Sequence, residues 1–256
     1  VDSSLNFTAG LITNSPTAVA LTVTAPGCTI TDLTVLNDWS VTRPTDGAGI
    51  KFAGTNGGDY AKVSRCCIVG FWANLQFTTG YWYQISDCHF IDPVKYGARF
   101  QNTQAGGTDH GDQGVINCVC SKLKDTASLG AAIKWESGGG LRVIGNKING
   151  LEQIGYPLAG GWEYGIHLDH AQYNTTSVRV ISGNSIEGDW SLYGIKVEGV
   201  GSSFSNVNIT GNEFLSSSGG TCVSVDGTGM SSTILRGVVV SSNTMTGGGA
   251  GIELKY

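Results

Sequence analysis

Apolar and polar residues alternate along this chain in short bursts, and one five-residue burst recurs eight times. It reads AGIKF (Ala48 to Phe52), ANLQF (Ala73 to Phe77), YGARF (Tyr96 to Phe100) and AAIKW (Ala131 to Trp135). It continues as YGIHL (Tyr164 to Leu168), YGIKV (Tyr193 to Val197), TCVSV (Thr221 to Val225) and AGIEL (Ala250 to Leu254). Successive central residues, from Ile50 to Ile252, are 23 to 35 residues apart. Alternation with a period of two predicts a strand with one buried face. A second strand precedes the later copies, in LRVIGNKI, VRVISGNSI, VNITGNEF and VVVSSNTM. These place Asn146, Asn184, Asn212 and Asn243 two residues before an apolar anchor. Asn and the Gly or Ser before it tolerate tight corners, so a corner between two short strands is expected there. Earlier copies (VSRCCI, QISDCHF, VINCVC) put Cys66, Cys88 and Cys118 at the same place, with Ile68, Phe90 and Cys120 as anchors.

Two or three short strands per turn, repeated in this way, predict an all-β parallel β-helix of about eight coils. Residues 1–256 are expected to form a single domain, with a lead-in segment over 1–27 and the repeated coils over 28–256. A propeller blade needs about 40 residues, and a sandwich would not keep one phrase in register. Composition agrees: Gly is 39 of 256 residues, 14% are charged and 40% are hydrophobic, so the chain can build a core without being a solvated tail. With only 5 Pro and no three-residue Gly period it is not collagen. No apolar run approaches a membrane span, and VDSSLNFTAG lacks a basic segment followed by an apolar one, so membrane insertion is not expected. A net charge of −5 argues against nucleic acid as a partner. The seven Cys are odd in number and lack metal-ligand spacing, which predicts compact apolar packing inside the solenoid, folding in a reducing compartment, and neither metal nor cofactor.

The run GDQGVINCVC, AAIKWESGGGLRVIGNKI, YGIHL, VRVISGNSI, YGIKV and VNITGNEF resembles the β-helix body of bacteriophage tailspikes. These are virion polysaccharide depolymerases of the pectate-lyase-like superfamily. The resemblance implies a right-handed solenoid, a homotrimer in the full-length parent, and a bacterial surface polysaccharide (capsule or O-antigen) as partner. It also implies a virion spike that folds in the host cytoplasm and acts extracellularly. The chain departs from related families in lacking Gly-His-Gly and the paired-Asp motif of polygalacturonases. HLDHA (His167 to Ala171) echoes a pectate lyase phrase without that family's remaining acids and arginine motif.

The register locates candidate chemistry. With the third and fifth residues of the burst inward, the fourth and the one after the fifth point outward. Glu136, Asp169 and Glu198 then stack on one edge with Asp226, beside Lys134, His167 and Lys196. Glycoside hydrolysis needs two carboxyl groups, about 5 Å apart for retention or roughly 6.5 to 9.5 Å for inversion. Adjacent rungs suit the first and alternate rungs the second. Crowded carboxylates would raise at least one pKa towards use as a general acid. Ordinary turn chemistry at strand ends, or a cation site, would produce the same acids. Long insertions add Asp109, His110 and Asp112 as an acid and imidazole set, and Tyr156, Trp162 and Trp190 as loop aromatics for pyranose rings. The expected function is binding and hydrolysis of surface polysaccharide, with Glu136, Asp169 and Glu198 catalytic. A non-catalytic virion adhesin, and a polysaccharide lyase working through the basic column, are the alternatives.

Overall fold

The computed structural model describes residues 10–38, 43–80, 82–101, 113–122, 130–136, 140–150, 161–170, 178–188, 190–201, 204–216, 220–230, 235–247, 249 and 251–255. Among them the strands form three parallel sheets, two of nine strands and one of eight. Each coil contributes one strand to each sheet in turn. Ala131–Glu136 lies in what we call the pentad sheet, Leu141–Ile144 in the middle sheet, and Lys147–Asn149 in the anchor sheet. The chain then returns to the pentad sheet at Trp162–His170. This is a parallel β-helix.

It holds one coil more than the repeated phrase suggests. Val19–Val23 pairs with Ala48–Phe52, and Gly10–Thr13 with Thr34–Asn37, so much of the expected lead-in segment belongs to the solenoid. Leu21 and Val23 take the places of Ile50 and Phe52, but VALTV lacks the Gly found in five of the eight later copies.

That Gly has a packing reason. The rung-to-rung ladder pairs the first, third, fourth and fifth residues of the burst and skips the second. A Cβ on Gly49 would lie 2.3 Å from Cγ2 of Ile68, and one on Gly165 2.9 Å from Cγ2 of Ile186. The second residue therefore faces inward against the anchor sheet, where small residues fit best. The third and fifth residues also face the core, and the first is left outside beside the fourth. The fifth column stacks rings in its early part, with Phe52 and Phe77 centroids 4.3 Å apart and Phe100 and Trp135 5.3 Å apart. It then turns aliphatic through Leu168, Val197 and Val225, all buried. Each buried side chain of this size contributes roughly 2 kcal/mol of apolar transfer energy.

The corner before the anchor sheet is as expected. Arg65, Asp87, Asn117, Gly145, Gly183, Gly211 and Ser242 adopt left-handed backbone there. The next residue turns inward, as Cys66, Cys88 and Cys118 and then Asn146, Asn184 and Asn212, all buried. The asparagines form a ladder of amides. Nδ2 of Asn146 donates to Oδ1 of Asn184 at 2.9 Å, and Asn184 repeats this to Asn212 at 2.8 Å. Each also donates to a carbonyl of the coil before it, Asn184 to Val143 at 2.9 Å. All seven thiols are free, and their packing raises the pKa of most of them. Cys88 is pushed up to about 12, chiefly by its contact with the Cys118 thiol, so it stays protonated and inert.

Candidate functional site

The pentad sheet brings the predicted columns together on its outer face. Arg99, Lys134, His167, Lys196 and Ser224 follow one another rung by rung. So do Asp169, Glu198 and Asp226, and Glu136 sits opposite Gln101 one rung before Asp169's coil. Although these side chains point away from the core, Lys134, His167 and Lys196 are only 7%, 6% and 8% exposed. Neighbouring rungs and outward tyrosines cover them. The Tyr164 ring lies 4.2 Å from the His167 ring and stacks on Tyr193 at 6.0 Å, while the Lys196 ammonium sits 4.9 Å from the Tyr193 ring centre. Such cation–ring contacts hold a desolvated ammonium in place.

The acids are not left to repel one another. Each basic residue reaches diagonally to the acid of the following rung: Arg99 to Glu136 at 3.1 Å, Lys134 to Asp169 at 3.0 Å, and His167 to Glu198 at 2.7 Å. Lys196 bonds Glu198 on its own rung and reaches Asp226 at 3.7 Å. The neutral pair Gln76 and Gln101 continues the same diagonal at 2.9 Å. At Glu198 and Asp226 the direction is opposite to the one expected from crowded carboxylates. The ring N–H of His167 and the neighbouring Lys196 hold Glu198 down at about 2, against the opposing effect of burial. Asp226 is also lowered, first by the Thr228 hydroxyl that donates to it. At Glu198 a hydrogen bond from His167 and the charge of Lys196 on its own rung outweigh like charges along the column.

The tautomer of His167 follows from its neighbours. Nζ of Lys134 lies 2.9 Å from Nδ1, and an ammonium can only donate, so Nδ1 accepts. Nε2 then carries the hydrogen and donates to Glu198. The result is a directed chain from Lys134 through a neutral imidazole to Glu198, with Asp169 held by the same ammonium. His167, Asp169 and Glu198 offer donor atoms all within 4.8 Å of one another, a set that could hold a metal ion. Lys134, bonded to two of the three, already supplies the positive charge there, and a cation would have to displace it.

Other candidates fare differently. Trp162 and Trp190 are not loop aromatics. They begin pentad-sheet strands opposite each other and are 2% and 1% exposed, with Trp162 Nε1 donating to the Asn149 carbonyl at 3.1 Å. Their side chains bury because the strands start earlier than the repeated phrase, so what reads as a loop is core. Asp109, His110, Asp112 and Tyr156 lie outside the described residues. Arg99 and Tyr164 also belong to the site, Arg99 through its ion pair with Glu136 and Tyr164 through its ring against His167. The Tyr-Gly opening of the burst was the available signal, since its Gly sends the preceding Tyr outward.

Fold and face together define a parallel β-helix with a narrow charge-paired strip along one sheet. No family model matches the chain, and no curated protein does. Among solved structures it is similar to the crystal structure of the Agl-KA catalytic domain, at 10% identity and a TM-score of 0.33, over 96% of this chain and 60% of that one. At those values the likeness carries no argument.

Proposed function

We propose that the outer face of the pentad sheet binds a bacterial surface polysaccharide, capsule or O-antigen, and hydrolyses it. In this reading the chain is the body of a tailspike-like virion protein that is a homotrimer in its full-length parent. The observation that carries hydrolysis is the pair Asp169 and Glu198, whose carboxylate oxygens lie within 4.8 Å of each other on adjoining rungs. Retaining glycosidases place their two carboxyl groups about 5 to 5.5 Å apart. Glu198, kept ionised by His167 and Lys196, takes the nucleophile's role. Asp169, held by the Lys134 ammonium, takes the acid–base role, and Glu136, Lys134, His167 and Lys196 position substrate. Tyr164 and Tyr193 offer ring faces beside the pair.

The strip's charge balance weighs against a lyase. Arg99, Lys134, Lys196 and Lys255 face Glu136, Asp169, Glu198, Asp226 and Glu253, so each of these four cations is already engaged by an acid rather than open to a uronate. The same balance favours one other reading, a non-catalytic adhesin in which the ladder only holds the face rigid. The variant Glu198→Gln separates the two. Under hydrolysis, release of reducing ends falls about a hundredfold or more while glycan binding stays within about threefold. Under the adhesin reading the wild type releases no reducing ends from any glycan it binds.

A further inference from the structure

Outside the strip, two large aromatic side chains stand in solvent where the backbone disfavours them. Tyr60 and Trp82 are 57% and 51% exposed, and both have left-handed backbone, with φ of 56° and 61°. Bulky residues seldom adopt that conformation, and it persists only when the surroundings enforce it. The two positions are equivalent. Each lies two residues before a paired middle-sheet residue, Lys62 opposite Gln84, and the same offset on the preceding coil falls on Gly27, with φ of 70°. Glycine is the unstrained choice at this place, yet two successive coils carry an aromatic.

The turns that hold them are tightly registered. A Cβ on Gly80 would lie 2.5 Å from the Cα of Gly58, so the two turn backbones touch, and Gln84 N donates to the Ala61 carbonyl at 2.9 Å. Tyr60 and Trp82 are thereby fixed with ring centres 6.5 Å apart and planes within 24°. The residues that follow, Ala61 and Tyr83, are buried.

We infer that Tyr60 and Trp82 form a sugar-binding platform, a subsite for pyranose rings of the polysaccharide; this rests on the function proposed above. Both sit on the turns leaving the pentad sheet, the same strand end that carries Glu136 and Asp169. Trp82 is three rungs from Asp169, about 14 Å as measured along the solenoid axis at the usual strand spacing. Near-parallel, rigid rings with polar edges suit stacking under pyranose C–H faces. Among the described residues, two aromatic side chains rimmed by exposed Lys62 and Gln84 make a patch far below the roughly 800 Å² a side that a protein partner needs.

The test uses Tyr60→Gly, Trp82→Gly and the double variant, with hexasaccharides of neutral hexoses and of N-acetylhexosamines as probes. Binding is followed by tryptophan fluorescence and by calorimetry, and folding by Tm. The expected result is saturable quenching in the wild type, Kd raised about tenfold or more in the variants, and Tm unchanged or higher, since Gly relieves the backbone. A sharp fall in Tm makes the pair structural packing and overturns the platform. Wild-type affinity in the double variant, with Glu198→Gln still losing turnover, overturns the platform while the polysaccharide reading stands. If the wild type neither binds the hexasaccharides nor cleaves capsule or O-antigen, that reading falls and the platform with it. If sedimentation shows the wild type associating and the double variant monomeric, the patch is a self-interface and the proposal fails.

Discussion

From Phe52 to Trp135 the fifth column of the solenoid is filled by stacked rings, and from Leu168 to Val225 the same column holds only Leu and Val. The corner changes over the same stretch. Cys66, Cys88 and Cys118 turn inward in the early coils, Asn146, Asn184 and Asn212 in the later ones. The two solutions meet where the backbone N–H of Cys118 donates to Oδ1 of Asn146 at 2.9 Å. A thiol is nearly apolar and asks little of its neighbours, the Cys88 contact with the Val63 carbonyl being 3.7 Å. An amide must have its donors and acceptor satisfied once buried, and a ladder of identical amides one rung apart does this completely. Similar backbones can thus carry either residue, but the energetic consequences of losing one differ.

The largest expected effect follows from that difference. Asn184→Ala removes the acceptor of both the backbone N–H and the side-chain amide of Asn146. It also removes a donor to Val143 and to Asn212. Urea unfolding should show a loss on the order of 3 to 5 kcal/mol with an unchanged slope. Cys88→Ala at the equivalent corner should cost only about 1 kcal/mol, from lost packing. Equal costs for the two would break the comparison and mean that the corners work alike.

The smallest effect sharpens a second contrast, between the neutral ladder inside and the ionic ladder outside. The folded-state pKa of Glu198, about 2, lies below its ordinary value of 4.5. Its contribution to stability is therefore whole above pH 4.5 and is lost as pH falls through about 2. Tm of the wild type should drop over that window by more than Tm of Glu198→Gln. The amide ladder carries no such dependence, so Asn184→Ala should lower Tm by the same amount at pH 6 and at pH 3.

Much of this was legible along the chain. The burst's alternation, its spacing and the Asn and Cys corners follow from strand periodicity and turn chemistry, which act between near neighbours in sequence. The outward columns were legible as well, because a ladder without slips carries a residue's place from one coil to the next. Trp162 and Trp190 read as loop residues along the chain because strand length is set by pairing with the next rung, not by the residues themselves. The first coil is hidden in the sequence for a related reason. Val19–Val23 is recognisable as a strand of the pentad sheet only when laid against Ala48–Phe52.

The sequence by itself determined that this is a repeated, parallel all-β solenoid, and which residues share a column. Period-two burial and left-handed corners are local properties of a few residues, repeated. Tertiary structure decided the charge state of the strip. Whether Glu198 is raised or lowered depends on which side chain reaches it across 2.7 Å, and that is His167, 31 residues away in sequence. It likewise decided that Tyr60 and Trp82 stand side by side in solvent, because only the touching turn backbones of Gly58 and Gly80 bring these two residues into contact.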